Sequence, residues 1–181
     1  THDDDLEYDE HVWLSLKNAS LFCDTIASSL ADADPEHSRL YQQNAEAYEE
    51  KLAALFNQYI TDHHGSCEVY PAPFAVNLDA DDKDWVEPDI SVICDPNKLT
   101  DRGCSGAPDL IFEIVSPASR KMDYSLKNMI YSQAGVREYW IVDPAKEKVV
   151  VYCYENDSDP CLYSFDADVP VGIYPGLTIR I

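Results

Sequence analysis

Basic residues are scarce: 13 Lys and Arg stand against 34 Asp and Glu, a net charge of -21 over 181 residues. Avid, nonspecific nucleic-acid binding needs a basic surface, so that class is excluded. A small, metal-dependent contact with a phosphate is not. The acidity is no tail, because residues 1–60 contribute -10 and residues 61–181 the other -11. Long apolar runs are absent, which leaves no segment to span a membrane. The opening THDDDLEYDE is acidic where a signal peptide is basic and then apolar, so no leader is expected there. It begins with Thr, as a processed, trimmed or partial chain does. Neither a Cys-x-x-Cys pair nor a Cys/His zinc-ribbon spacing occurs among Cys23, Cys67, Cys94, Cys104, Cys153 and Cys161. We therefore expect reduced structural thiols and a cytoplasmic protein.

What is present is the composition of a globular domain, 45% apolar and 26% charged. Residues 1–10 have no periodicity. Residues 15–31 place Leu21, Phe22, Thr25, Ile26 and Leu30 at helical spacing. DADPEH then stops that helix and starts another, with Asp34 as N-cap and Pro35 at the first helical position. The second helix runs to about Ile60 along the stripe Tyr41, Ala45, Tyr48, Leu52, Leu55 and Tyr59, and the two should form a hairpin. The pair His63-His64 reads as the helix-ending surface.

Beyond Gly65 the chain reads as strands: CEVYP, FAVNLD, VEPDISVIC and DLIFEIV. CDPNKLTDRGCSGA reads as a long loop. A helix from about Asp123 to Ala134 ends at Gly135. YWIVD and VVVYCY form a hairpin, and the tail holds one or two short strands. The fold class is α/β or α+β, a mixed sheet flanked by helices, preceded by a helical hairpin.

One residue breaks this pattern. In PDLIFEIVSP every neighbour of Glu113 is apolar, as in a central strand covered on both faces. An unpaired carboxylate there costs several kcal/mol or takes up a proton. Asp89, in VEPDISVI, is the first candidate partner; the intervening chain is long enough for the two strands to lie side by side. Two converging carboxylates suit a hard divalent cation such as Mg²⁺ or Mn²⁺. Lys127, between Tyr124 and Tyr131 on the next helix, is the second candidate; beside a metal it would orient water and stabilise charge on a phosphate. The plainer alternative is a structural pair, one carboxylate capping main-chain N–H groups and the other bound to a lysine. Asp109 reads as a strand-starting residue bonded to local backbone, Asp123 as a helix N-cap, Ser116 and Ser119 as turn residues, and Trp13, Trp85 and Trp140 as packing residues.

The run EPDISVIC, GAPDLIFEIVSP and DYSLKNMIYSQAGVREYWIVDP resembles the Uma-two family of restriction-endonuclease-like proteins, within the PD-(D/E)xK nuclease superfamily. The resemblance covers about Tyr48 to the end. It implies a restriction-endonuclease-like core over residues 49–181 and Mg²⁺- or Mn²⁺-dependent hydrolysis of nucleic-acid phosphodiesters. It maps the acidic metal ligands onto Asp89 and Glu113. Val115 stands where the superfamily lysine would, and that role maps onto Lys127. The family's opening strand pair and its histidine are absent, the latter falling near Ala45.

In their place, residues 6–55 resemble a stretch of the zinc-binding subunits of metal ABC transporters, whose DPHVWL-type histidine maps onto His11. The expected organisation is thus an acidic, helical extension at 1–48 fused to the nuclease-like domain. Two rival functions follow, a zinc-binding transport fragment and a catalytically inactive interaction module. The apolar stripe of a truncated sheet would favour a homodimer.

Overall fold

The computed structural model describes residues 50–80, 85–116, 119–156 and 158–181. Its centre is the segment whose apolar run marks it from sequence, β7 (Leu110–Ile114), with every residue buried. Side chains alternate along a strand, so β7 has two faces to cover. Leu110, Phe112 and Ile114 face a cluster that includes Leu52 and Phe56 of helix α1, residues 50–62. Ile111 and Val115 face the other cluster, with Tyr131 and Val136. Period two puts Glu113 on that second side.

The main sheet has six strands. β1 (Glu68–Pro71), β4 (Ile90–Ile93), β7, β8 (Glu138–Asp143), β9 (Lys148–Cys153) and β10 (Cys161–Ser164) lie side by side in that order. β7 and β8 run parallel, and every other neighbouring pair is antiparallel. The parallel pair requires a crossover. It is supplied by a π-helical turn, Met122–Lys127, continuing into α2 (Asn128–Ala134). Gly135 ends α2 in the left-handed conformation, φ 90°, as its position in the sequence predicts.

A second sheet pairs β3 (Trp85–Val86), β2 (Val76–Asn77), β6 (Gly103–Ser105) and β5 (Leu99–Thr100) in that order. Two of these strands replace the long loop expected over CDPNKLTDRGCSGA. The hairpin forms because β6 runs parallel to β2. That contact is close: the Cys104 N–H donates to the Ala75 carbonyl at 2.9 Å. A Cβ on Gly103 would meet the Ala75 oxygen at 2.0 Å, so only glycine fits. β11 (Val169–Pro170) and β12 (Thr178–Ile179) form a small antiparallel ribbon against the α1 side.

Three expectations need correction. The buried line of α1 is Leu52, Phe56 and Ile60, while Leu55 is exposed; Phe56 sits edge-on to Phe112, with centroids 5.3 Å apart. The stripe is rotated by one position because the larger ring fills the space over β7. Cys67 and Cys94 are not free thiols but a disulfide. They extend the β1–β4 register directly, one residue beyond Glu68 opposite Ile93. Free cysteines among the described residues are Cys104, Cys153 and Cys161. Nor is there an apolar stripe among the described residues: the large exposed apolar side chains, Leu55, Met129 and Leu162, lie on α1, α2 and β10.

His63 and His64 are exposed and follow α1, as expected. No helix among the described residues is long and apolar enough to cross a membrane. The first helix of the expected hairpin, the part of its second helix before residue 50, His11 and Trp13 lie outside the described residues.

Candidate active site

Asp89 precedes β4. The β4–β7 register sets Ile90 opposite Phe112, and its continuation sets Asp89 opposite Glu113. The Ile114 N–H donates to Asp89 Oδ2 at 2.5 Å, so the end of the ladder is closed by a side chain. Glu113 is 2% exposed. The Lys127 ammonium donates to its Oε2 at 2.6 Å, and the Tyr131 hydroxyl to its Oε1 at 2.6 Å. The sequence therefore names three groups, Asp89, Glu113 and Lys127, that the fold brings together.

Two further members were missed. Asp123 does not cap the helix; it lies within the π-helical turn, 1% exposed, with its Oδ1 3.1 Å from the Lys127 nitrogen. The main-chain carbonyl of Asp123 accepts a hydrogen bond from the buried Tyr139 hydroxyl at 3.0 Å, which pins the backbone there. Tyr131 is the other. A signal for both was in the sequence: Asp123, Lys127 and Tyr131 step by four, the spacing of one helix face.

Capping falls to the serines instead. The Ser119 N–H donates to Ser116 Oγ at 3.0 Å and the Ser116 N–H to Ser119 Oγ at 3.1 Å, a reciprocal arrangement at the helix entrance. Just beyond it, Arg120 grips the buried Asp143 with both guanidinium nitrogens, and the Tyr124 hydroxyl donates to the same carboxylate at 3.2 Å. Asp109 lies at the far end of β7 from Glu113. Its partners are the Cys94 N–H at 2.8 Å and the Arg137 guanidinium at 3.1 Å, so its ties are long-range rather than local. Trp140 is buried, and Arg102 lies over the Trp85 ring, 4.8 Å from its centroid.

Charge is unevenly matched at the centre. Three carboxylates, Asp89, Glu113 and Asp123, act on the one ammonium of Lys127. Burial pushes Glu113 up to about 8; Asp89 and Asp123 push the same way, and Lys127 opposes them. Burial works against the charge on Lys127, but Glu113, Asp123 and Asp89 outweigh it and hold the amine protonated. Burial, then the adjacent Glu113, raises the Tyr131 hydroxyl well above the ordinary range. Lys127 is thus held as the ammonium, and Glu113 takes up a proton more readily than an ordinary carboxylate.

The donor set is all oxygen, which suits a hard divalent cation and not a zinc cage. Among the described residues no group of three or more His, Cys, Asp or Glu is arranged to hold a metal ion. Mg²⁺ does not need such a cage, since it keeps several waters and rests on one or two carboxylates. Asp89 and Glu113 could supply those two.

A six-stranded mixed sheet with a parallel central pair, a crossover helix and a carboxylate–lysine cluster between them is the restriction-endonuclease-like class of fold. The family described as "Uma2: Putative restriction endonuclease" matches residues 37–179, and the chain belongs to that family. Its structure is similar to the crystal structure of a "putative nuclease belonging to DUF820" from Anabaena variabilis. The TM-score is 0.57 at 20% identity, covering 71% of this chain and 72% of the other. That likeness concerns the fold.

Shorter matches point elsewhere. A "Putative metal-binding protein" of Treponema pallidum is 46% identical over 52 residues, 29% of this chain and 16% of the relative. The high-affinity zinc uptake system protein ZnuA of Brucella abortus is 49% identical over 49 residues, 27% of this chain and 15% of the relative. The chain thus spans about one sixth of the length of these curated relatives.

Proposed function

We propose that the chain is a divalent-metal-dependent endonuclease, in which Asp89 and Glu113 hold Mg²⁺ or Mn²⁺ and Lys127 acts on the attacking water and the phosphate. One observation carries the reading: three carboxylates, two of them buried, act on a single ammonium in a nuclease-family fold. A purely structural pair needs one acid and one base. Gathering these acids costs desolvation and mutual repulsion, which a proton on Glu113 or a metal cation would offset. When bound, such a cation would withdraw charge from the phosphodiester as negative charge builds on it.

The residues divide the remaining work. Asp89 is oriented by the Ile114 N–H. Tyr131 holds one oxygen of Glu113 and leaves the other facing Lys127. Lys127, 22% exposed, and the half-buried Asp89 are the members open to a substrate. As a permanent ammonium it cannot take a proton; it orients water and stabilises developing anionic charge. A net charge of -21 makes this contact local and metal-dependent rather than a broad electrostatic footprint. Zinc ligation by His11 is a separate proposal for the helical extension, supported by the short matches to metal-transport proteins.

The test is calorimetric titration of Mn²⁺ into the full chain and into Glu113→Gln, followed by cleavage assays on DNA and RNA with Mg²⁺ or Mn²⁺. Binding and cleavage in the native chain, both lost in the variant, are expected. Mn²⁺ binding that ignores Glu113 would leave only a shared fold.

A further inference from the structure

Asp123 is anomalous. It is 1% exposed, yet neither carboxylate oxygen has a hydrogen-bond partner. Its ion-pair partner here is the Lys127 ammonium, 3.1 Å from Oδ1, while the same ammonium donates its shorter hydrogen bond to Glu113 Oε2, 2.6 Å away. A buried acceptor left unsatisfied costs the desolvation of the group, and a charged one costs most. Asp123 caps nothing, since the helix entrance is served by Ser116 and Ser119. Its backbone is nevertheless held, by the Tyr139 hydroxyl on its carbonyl. The fold therefore keeps a second carboxylate in ion-pair reach of an ammonium whose shorter bond goes to Glu113.

We propose that Asp123 is a positioning residue for Lys127, a second carboxylate seat that keeps the ammonium in the site when Glu113 is engaged. A cation arriving at Glu113 repels the ammonium already there. Without an alternative, Lys127 would swing toward solvent, to which it is partly open. With Asp123 beside it, the ammonium turns by one hydrogen bond and stays next to the phosphate. This role rests on the nuclease reading, but the seat itself is a property of three side chains and needs no metal to be seen.

The experiment uses the full chain with ¹⁵N-lysine and follows the Lys127 ammonium by NMR, assigned through its disappearance in Lys127→Met. Held ammonium groups exchange slowly and give a signal, whereas free ones are lost to exchange. The signal is expected in the native chain and in Glu113→Gln, where Asp123 becomes the anchor, and is expected to vanish in Glu113→Gln/Asp123→Asn. Loss of the signal in Glu113→Gln alone, or its survival in the double variant, overturns the proposal. If the double variant does not fold, thermal unfolding gives the second arm. In a Lys127→Met background Asp123 has no ammonium to serve, so Asp123→Asn should raise Tm by about 2–4 °C; an unchanged or lower Tm refutes the seat. Cleavage and Mn²⁺ binding report on the nuclease reading separately, so either idea can fail without the other. Should both hold, Asp123→Asn lowers kcat about tenfold and leaves KM unchanged, a split that a merely structural residue would not produce.

Discussion

Two buried glutamates stand on neighbouring strands of this sheet, and they are opposites. Glu113 on β7 and Glu138 on β8 are 2% and 1% exposed. Glu138 accepts from the Trp140 indole at 2.7 Å and from the Gly172 and Ile173 N–H groups at 3.0 and 2.9 Å. Its partners are neutral and mostly main chain. They fasten the segment after β11 to the sheet, and a Cβ on Gly172 would press on the carboxylate at 3.1 Å. Glu113 faces ionisable side chains instead: Lys127, Tyr131, Asp89 and Asp123. Burial alone therefore does not single out a candidate functional acid; titratable company does.

Variants should pull the two apart. The largest effect belongs to Glu113→Gln. Cleavage should fall at least about 10³-fold, ~4 kcal/mol of transition-state stabilisation, while stability changes less than in the Glu138 variant. A cleavage assay beside urea unfolding checks both halves. Glu138→Gln should do the reverse. One main-chain N–H then meets an amide N–H₂, at a cost of about 2–3 kcal/mol in the urea midpoint, with Mn²⁺ affinity retained. Equal effects of both variants on both readouts would erase the distinction.

Tyr131→Phe is milder. It frees one oxygen of Glu113 without removing charge, and kcat should drop about tenfold with roughly 1 kcal/mol of stability. The last effect is a slope with pH. A carboxyl whose folded value is raised to about 8 binds its proton more tightly folded than unfolded. Its contribution is therefore complete at low pH and is lost as pH rises from about 5 to about 8. Metal-free chain should become gradually less stable over that window, and Glu113→Gln should flatten the decline. A decline that persists unchanged in the variant would assign it to other groups.

Much of the site was legible because strand pattern and spacing are local. The apolar flanks of Glu113 placed it on a covered strand, and the Pro88-Asp89 lead into Ile90 placed its neighbour. Lys127 followed from helix direction. The misreadings share a cause. Asp123 has the chemistry of an N-cap, and nothing nearby in the chain says that a π-helical turn carries it inward. The hairpin of β5 and β6 looks like a loop because its partner, β2, lies more than twenty residues earlier. Cys67 and Cys94 are 27 residues apart, and their pairing depends on which strands become neighbours.

By itself the sequence determined the mixed α and β class, the central strand with its misplaced acid, the family, and the exclusion of a broad basic nucleic-acid surface. The family is carried by the resemblance of whole motifs; each of the others follows from residue type at short range: alternation, runs and charge. Tertiary structure alone decided which buried carboxylate is tied to main chain and which to a lysine. It also decided that a third acid would share that lysine and that two thiols would meet. Those outcomes depend on distances between segments far apart in the chain, and such distances are set by the packing of the whole sheet.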